Sequence, residues 1–182
     1  MSILKKIKPK RLITAVLVCC TLMSMQTSVA PEYQVKAVFL FNFTEFVEWP
    51  SESFAYNQAP FIIGVLGDNP FGSYLEKVVS GEKMKGHPLT VSFFKNPEEI
   101  KTCHILFINK NSTNNQKDVL AGLKGKSILT VSDNPDFLKE GGMIRFFTRN
   151  NKIQLQINLD AAKNANLDTS SKLLRLAEIY VP

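Results

Sequence analysis

In the stretch "PEYQVKAVFLFNFTEFVEWP", residues 31–50, apolar positions cover most of a helical circumference. Gln34, Asn42, Glu45 and Glu48 leave only a narrow polar stripe. Such a pattern predicts a helix between Pro31 and Pro50 that is buried against something else. Pro31 suits the first helical position. Lys36 and the glutamates break the apolar run, so the helix does not span a membrane. Two settings fit: a core helix packed on a sheet, which is the ordinary fate of an apolar helix face, or a helix partly buried against a second chain.

Short apolar runs then alternate with helical segments. "FIIGVL" (61–66), "PLTVSFF" (88–94), "HILFIN" (104–109) and "SILTVS" (127–132) read as strands. "FGSYLEKVV" and "NNQKDVLAGL" read as helices, "PEEI" as a helical turn and "PDFLKE" as a short helix. Strands with few polar positions suit burial on both faces, and the alternation suits a parallel sheet. The rhythm changes at "GGMIRFFTRNNKIQLQIN", which predicts an antiparallel hairpin around Asn150-Asn151. Ile153, Leu155 and Ile157 alternate with Lys152, Gln154 and Gln156, so one face of the last strand is polar. "SSKLLRLAEIYV" carries Leu173, Leu174, Ala177 and Val181 at helical spacing and predicts a closing helix. The fold expected is an α/β three-layer sandwich. Its sheet is mixed and mostly parallel, of about six strands with a C-terminal antiparallel hairpin, and helices lie on both faces.

The turn "GVLGDNPFG" stands where many proteins hold a phosphate. Asn69-Pro70, Asn96-Pro97 and Asn134-Pro135 all follow a strand and open a helical segment. Asparagine satisfies free N–H groups of a first helical turn and proline fits the next position. Repetition at three junctions points to connection chemistry, and Gly64, Gly67 and Gly72 do not give G-x-G-x-x-G. "GLKGKS" (122–127) ends like a Walker loop, but position 120 is Leu, and the segment follows a helix and starts a strand. His87, His104 and Cys103 have no recognisable zinc spacing, and G-x-S-x-G and H-E-x-x-H are absent. The chain therefore reads as a non-enzyme without cofactor or metal. One feature remains. In open α/β sheets ligands bind beyond the carboxyl ends of the strands. Asp68, Asn69, Asn109, Ser132 and Asp133 fall at that edge, where they line a polar crevice for a small ligand or simply cap helices.

Charge changes meaning once the first thirty residues are set apart. Lys5, Lys6, Lys8, Lys10 and Arg11 precede the uncharged run "LITAVLVCCTLMSM", and small Ser28 and Ala30 follow. This is the pattern of a secretory signal peptide cleaved near Ala30, although Pro31 directly after the cut is awkward. Cys19 and Cys20 raise a lipoprotein reading, but neither has both the small neighbour and the full apolar run a lipobox needs. Without the leader's five positive residues the net charge falls from +6 to +1, and a single domain of 152 residues (31–182) remains. The basicity is therefore no nucleic-acid footprint. Cys103 is the lone cysteine left, so no internal disulfide is available; its place at a strand start predicts a buried, inert thiol.

The blocks "EYQVKAVFLFNFTEFVEWP", "FIIGVLGDNPFG", "CHILFIN", "ILTVSD", "GGMIRFF" and "INLDAAKNANLDTSSKLLRLA" occur in the order of the YfiR family, and together they span nearly the whole mature chain. The chain resembles that family. The resemblance implies an exported periplasmic α/β sandwich that tends to form homodimers. It also implies a repressor that binds the periplasmic domain of an inner-membrane diguanylate cyclase of the YfiN type, lowering cyclic-di-GMP and biofilm formation. The best-studied members carry disulfides tied to periplasmic redox state; this chain, with Cys103 alone, departs from them. A partner surface of that kind needs apolar area for affinity and charge for specificity. The C-terminal segment offers Leu174, Arg175, Glu178, Ile179 and Tyr180, with Arg175 and Glu178 three apart on the expected helix. The alternative function is a periplasmic small-ligand binder or hydrolase using the strand-end crevice.

Overall fold

The computed structural model describes residues 30–111 and 115–181. The expected leader, with Cys19 and Cys20, lies outside them. Helix α1 spans Pro31–Phe46, with Pro31 at its first position. Its chain continues into β1 (Val47–Glu48), four residues short of the expected end at Pro50. Strand β2 (Phe61–Leu66) is followed by α2 (Tyr74–Val79), β3 (Lys83–Met84) and β4 (His87–Phe94). Then come β5 (Ile105–Ile108), α3 (Gln116–Leu123) and β6 (Leu129–Ser132). The hairpin strands are β7 (Ile144–Arg149) and β8 (Lys152–Ile157). Helix α4 (Leu159–Asn164), β9 (Asp168–Thr169), α5 (Ser171–Leu176) and β10 (Ala177–Ile179) close the chain.

Eight strands form one sheet in the order β10-β8-β7-β6-β5-β2-β4-β3. The pairs from β4 across to β7 are parallel, as is β10 with β8; β7–β8 and β3–β4 are antiparallel. A separate ribbon joins β1 to β9. The mixed, mostly parallel α/β sandwich expected from the alternation is the fold. It has more strands than the rhythm suggested because β1, β3, β9 and β10 are only two or three residues long, too short to show a period.

Two apolar clusters flank the sheet. On the first face, Ala37, Leu40 and Phe43 of α1 pack with Leu75, Val79 and Leu173 over Ile63, Val65, Phe107, Val131, Phe146 and Leu155. Phe43 stacks on Phe146 at 6.1 Å. Helix α1 thus packs on the sheet as a core helix, while its Val35 and Val38 are exposed on the outer side. On the second face, Val119, Leu120 and Leu123 of α3 join Phe137, Leu138 and Ile100 over Leu66, Leu106 and Ile108. Both faces of β5 and β6 are buried, as expected, whereas β4 is half exposed because only the short β3 lies beyond it.

Gly64 shows how tightly the second face is filled. A β-carbon there would sit 2.7 Å from a ring carbon of Phe94 and 2.8 Å from Cys103 Sγ. Overpacking of this kind costs about 1–3 kcal/mol. Gly64→Ala is therefore expected to lower the urea midpoint with an unchanged m-value; an unaltered midpoint would show that the contact relaxes freely.

Three expected elements differ. "PDFLKE" forms successive turns in place of a helix, since Gly141 and Gly142 follow within one more turn and so short a segment does not repay helix nucleation. The Asn-Pro junctions are not α-helix caps. Asn69 and Asn134 each accept from the N–H two residues on, closing Asx turns over Pro70 and Pro135. Asn96 instead donates to Glu99, ahead of a single 3-10 turn. The side chains that cap α-helices are Asn115, Asn158 and Ser170. Finally, the closing helix stops at Leu176, and Ala177–Ile179 turns into β10. The residues "AEIYV" are richer in strand formers than "SKLLRL", and the free edge of β8 offers backbone partners.

Candidate functional site

The parallel strands deliver Asp68 after β2, Asn109 after β5, and Ser132 with Asp133 at the end of β6, all to one edge. Most of their polar atoms fasten the loops there. Asn109 Nδ2 donates to the Asp68 carbonyl at 2.6 Å, and its Oδ1 accepts from the Asn111 N–H. The Ser132 hydroxyl donates to the Ile108 carbonyl at 2.7 Å and accepts from the Asn134 N–H. Asn69 bonds its own turn at Phe71 and Gly72. Among the described residues, cavities of about 370 to 540 Å³ lie elsewhere and are lined by other side chains.

Asp133 differs from its neighbours. Its side chain is 5% exposed and meets the equally buried Lys36 of α1 at 2.7 Å. The Tyr33 hydroxyl donates to the same carboxylate oxygen at 3.0 Å, and the Lys36 ammonium lies 4.1 Å from the Tyr33 ring centre. Glu32 reaches Lys36 at 3.4 Å, and Lys110 stands 4.0 Å from Asp133. Burial, and then the Asp133 charge, push the Tyr33 phenol upward, so it stays a neutral donor. Asp133 Oδ1 is buried and has no protein partner, the one such oxygen among the five crevice residues. This ion pair joins residues 97 apart. Its sequence signal was a single lysine within an apolar helical run.

The opposite edge is tied down by histidines. His104, 1% exposed, accepts from the Ile62 N–H at Nδ1 (3.0 Å), so its proton sits on Nε2 and is directed at the Ser53 carbonyl (3.2 Å). Phe54 stacks between His87 and His104 with ring centres 3.9 and 4.7 Å away. His87 Nδ1 bonds the Ala59 carbonyl at 2.7 Å and Trp49 Nε1 donates to the His104 carbonyl. Both histidines thus fasten the segment between β1 and β2. Cys103 is buried as its strand position predicted, and burial pushes its thiol up to about 12. Among the described residues, no group of three or more His, Cys, Asp or Glu side chains is placed to hold a metal.

The C-terminal surface is rearranged relative to expectation. Leu174 is half-buried and Arg175 exposed on α5, but Glu178 belongs to β10, so the two charges do not share a helical face. Glu178 pairs with Arg149 across the hairpin, its second oxygen 3.3 Å from Nη2. Tyr180 packs against the second cluster, whereas Leu176, Ile179 and Val181 are exposed. Since β10 is an edge strand, the segment presents an apolar rim around a free backbone edge.

Residues 33–178 match the family described as YfiR/HmsC-like. The chain belongs to that family. Among curated proteins nothing matches it. At the level of the family, membership of the YfiR/HmsC-like group supports a periplasmic regulator of diguanylate cyclase activity. Among the described residues no helix is long and apolar enough to cross a membrane.

Proposed function

We propose that this YfiR/HmsC-like chain is a non-enzymatic periplasmic repressor. It binds the periplasmic domain of an inner-membrane diguanylate cyclase of the YfiN type and holds down cyclic-di-GMP synthesis. The observation that carries this reading is the family match over residues 33–178. The polar edge supports it from the other side, because Asn109, Ser132 and Asn69 spend their polar groups on loop geometry. A repressor must bind one state of its partner better than another. The rim of Leu176, Ile179 and Val181, beside the Arg149–Glu178 pair, supplies apolar area and charge for such a contact. Deleting the gene is expected to raise cellular cyclic-di-GMP and surface attachment, and expression of the exported chain to reverse both. Unchanged cyclic-di-GMP in the deletion strain would sink the reading.

A further inference from the structure

The second face of the sheet is covered by α3 and the Phe137 turn over β2, β5 and β6. Beyond β6, the residues of β7, β8 and β10 on that face are half-buried (Arg145, Phe147, Gln154, Gln156 and Glu178) or exposed (Arg149 and Lys152). The register aligns Arg145 with Gln156, Phe147 with Gln154, Arg149 with Lys152, and Glu178 with Gln156. All of these side chains therefore share that face. The guanidinium carbons of Arg145 and Arg149 lie 5.2 and 5.0 Å from the centre of the Phe147 ring, one on each side along the strand. The ring holds two planar forks in fixed orientation. Arg145 Nη1 is tied to the Pro135 carbonyl at 2.8 Å, while its buried Nε has no acceptor.

We propose that this partly exposed face, open at Arg149 and Lys152, is a docking surface for an extended, glutamate- or aspartate-rich segment of a partner protein. The proposal rests on the regulator reading and names the chemistry of the contact. Three cations (Arg145, Arg149 and Lys152) face one anion, Glu178, so the patch favours a negative partner. Same-face residues of an extended chain repeat at about 6.7 Å, and Arg145, Phe147 and Arg149 present that repeat. Arg149 is paired with Glu178 and Arg145 Nη1 with the Pro135 carbonyl, so alternate carboxylates of an extended segment would take the remaining N–H groups of the two guanidiniums or exchange with Glu178 in charge-assisted bonds. Gln154 and Gln156 offer amides to a peptide backbone. Among the residues aligned above, Phe147 is the one aromatic ring, which is little for a lipid surface. A mature net charge of only +1 provides no long-range pull on nucleic acid.

The test uses the exported chain and a short fluorescein-labelled poly-L-glutamate. Neutralising the patch with Arg149→Gln and Lys152→Gln is expected to weaken binding about tenfold or more, the scale of two lost charge-assisted contacts. Lys152→Glu alone, at the exposed start of β8, keeps the test open should the double variant unfold. Unchanged binding in the folded variants would overturn the proposal, as would tighter wild-type binding to phosphatidylglycerol vesicles or duplex DNA. The cyclase periplasmic domain is titrated in parallel. Equal affinity for wild type and variant would overturn the surface and leave the regulator reading intact. No cyclase binding by wild type, with variant-sensitive polyglutamate binding, would remove the regulator reading and keep the surface.

Discussion

Lys36→Ala is expected to cost the fold about 3–5 kcal/mol, the range for removing one partner of a buried ion pair. Lys36 is 4% exposed and meets Asp133 at 2.7 Å. Alanine would leave the Asp133 carboxylate with the Tyr33 hydroxyl at 3.0 Å and the distant Lys110 ammonium at 4.0 Å. Neither replaces the lost charge, and Oδ1 already lacks a partner. The cost comes from stranding a buried charge and does not measure what the pair contributes. The pair variant Lys36→Met/Asp133→Asn should therefore recover most of the loss, because its amide still accepts from Tyr33 and no charge remains buried. Urea denaturation of the three proteins decides the matter. A loss below about 1 kcal/mol for Lys36→Ala would place the pair in solvent-like surroundings.

Acidification should weaken the fold through His104. Burial, followed by the nearby His87, lowers its pKa from 6.5 to about 4, against the opposing Ser53 carbonyl. The Ile62 N–H directed at Nδ1 works in the same sense, since an imidazolium would set two donors against each other. The folded state thus prefers the neutral ring. Between pH 6.5 and 4 the unfolded chain takes up a proton that the folded chain refuses. Stability is full above pH 6.5 and falls as pH drops toward 4, by up to about 3 kcal/mol. Comparing unfolding free energies of wild type and His104→Gln across that window isolates the contribution. Wild type should decline more steeply; parallel curves would mean that His104 titrates normally.

The layout of the fold was legible where burial imposes a period over several residues. The β2, β5, β6 and hairpin assignments rest on such runs, and Asn150 and Asn151 adopt the positive φ values, 52° and 55°, that a tight hairpin requires. The C-terminus was not legible. Leu173, Leu174, Ala177 and Val181 match a helical stripe, yet only Leu173 is fully buried, because the free edge of β8 captures Ala177–Ile179 as a strand. Local periodicity carries no information about an edge formed twenty residues earlier. The same limit applies to the carboxyl edge. Strand order predicted where Asp68, Asn109 and Asp133 fall, but not that α1 would bring Lys36 onto Asp133. The sequence predicted the hairpin and the alternation of its second strand, but the arginine–phenylalanine column of β7 was not read from it. Its exposure depends on how far α3 reaches across the sheet, which is a tertiary fact.

The most direct measurement is the affinity of this chain for the periplasmic domain of an inner-membrane diguanylate cyclase from the same bacterium, followed by calorimetry. The account predicts a saturable complex, weakened when the exposed Ile179 of the edge strand is replaced by aspartate. The absence of any complex with every such cyclase domain the bacterium encodes would contradict it.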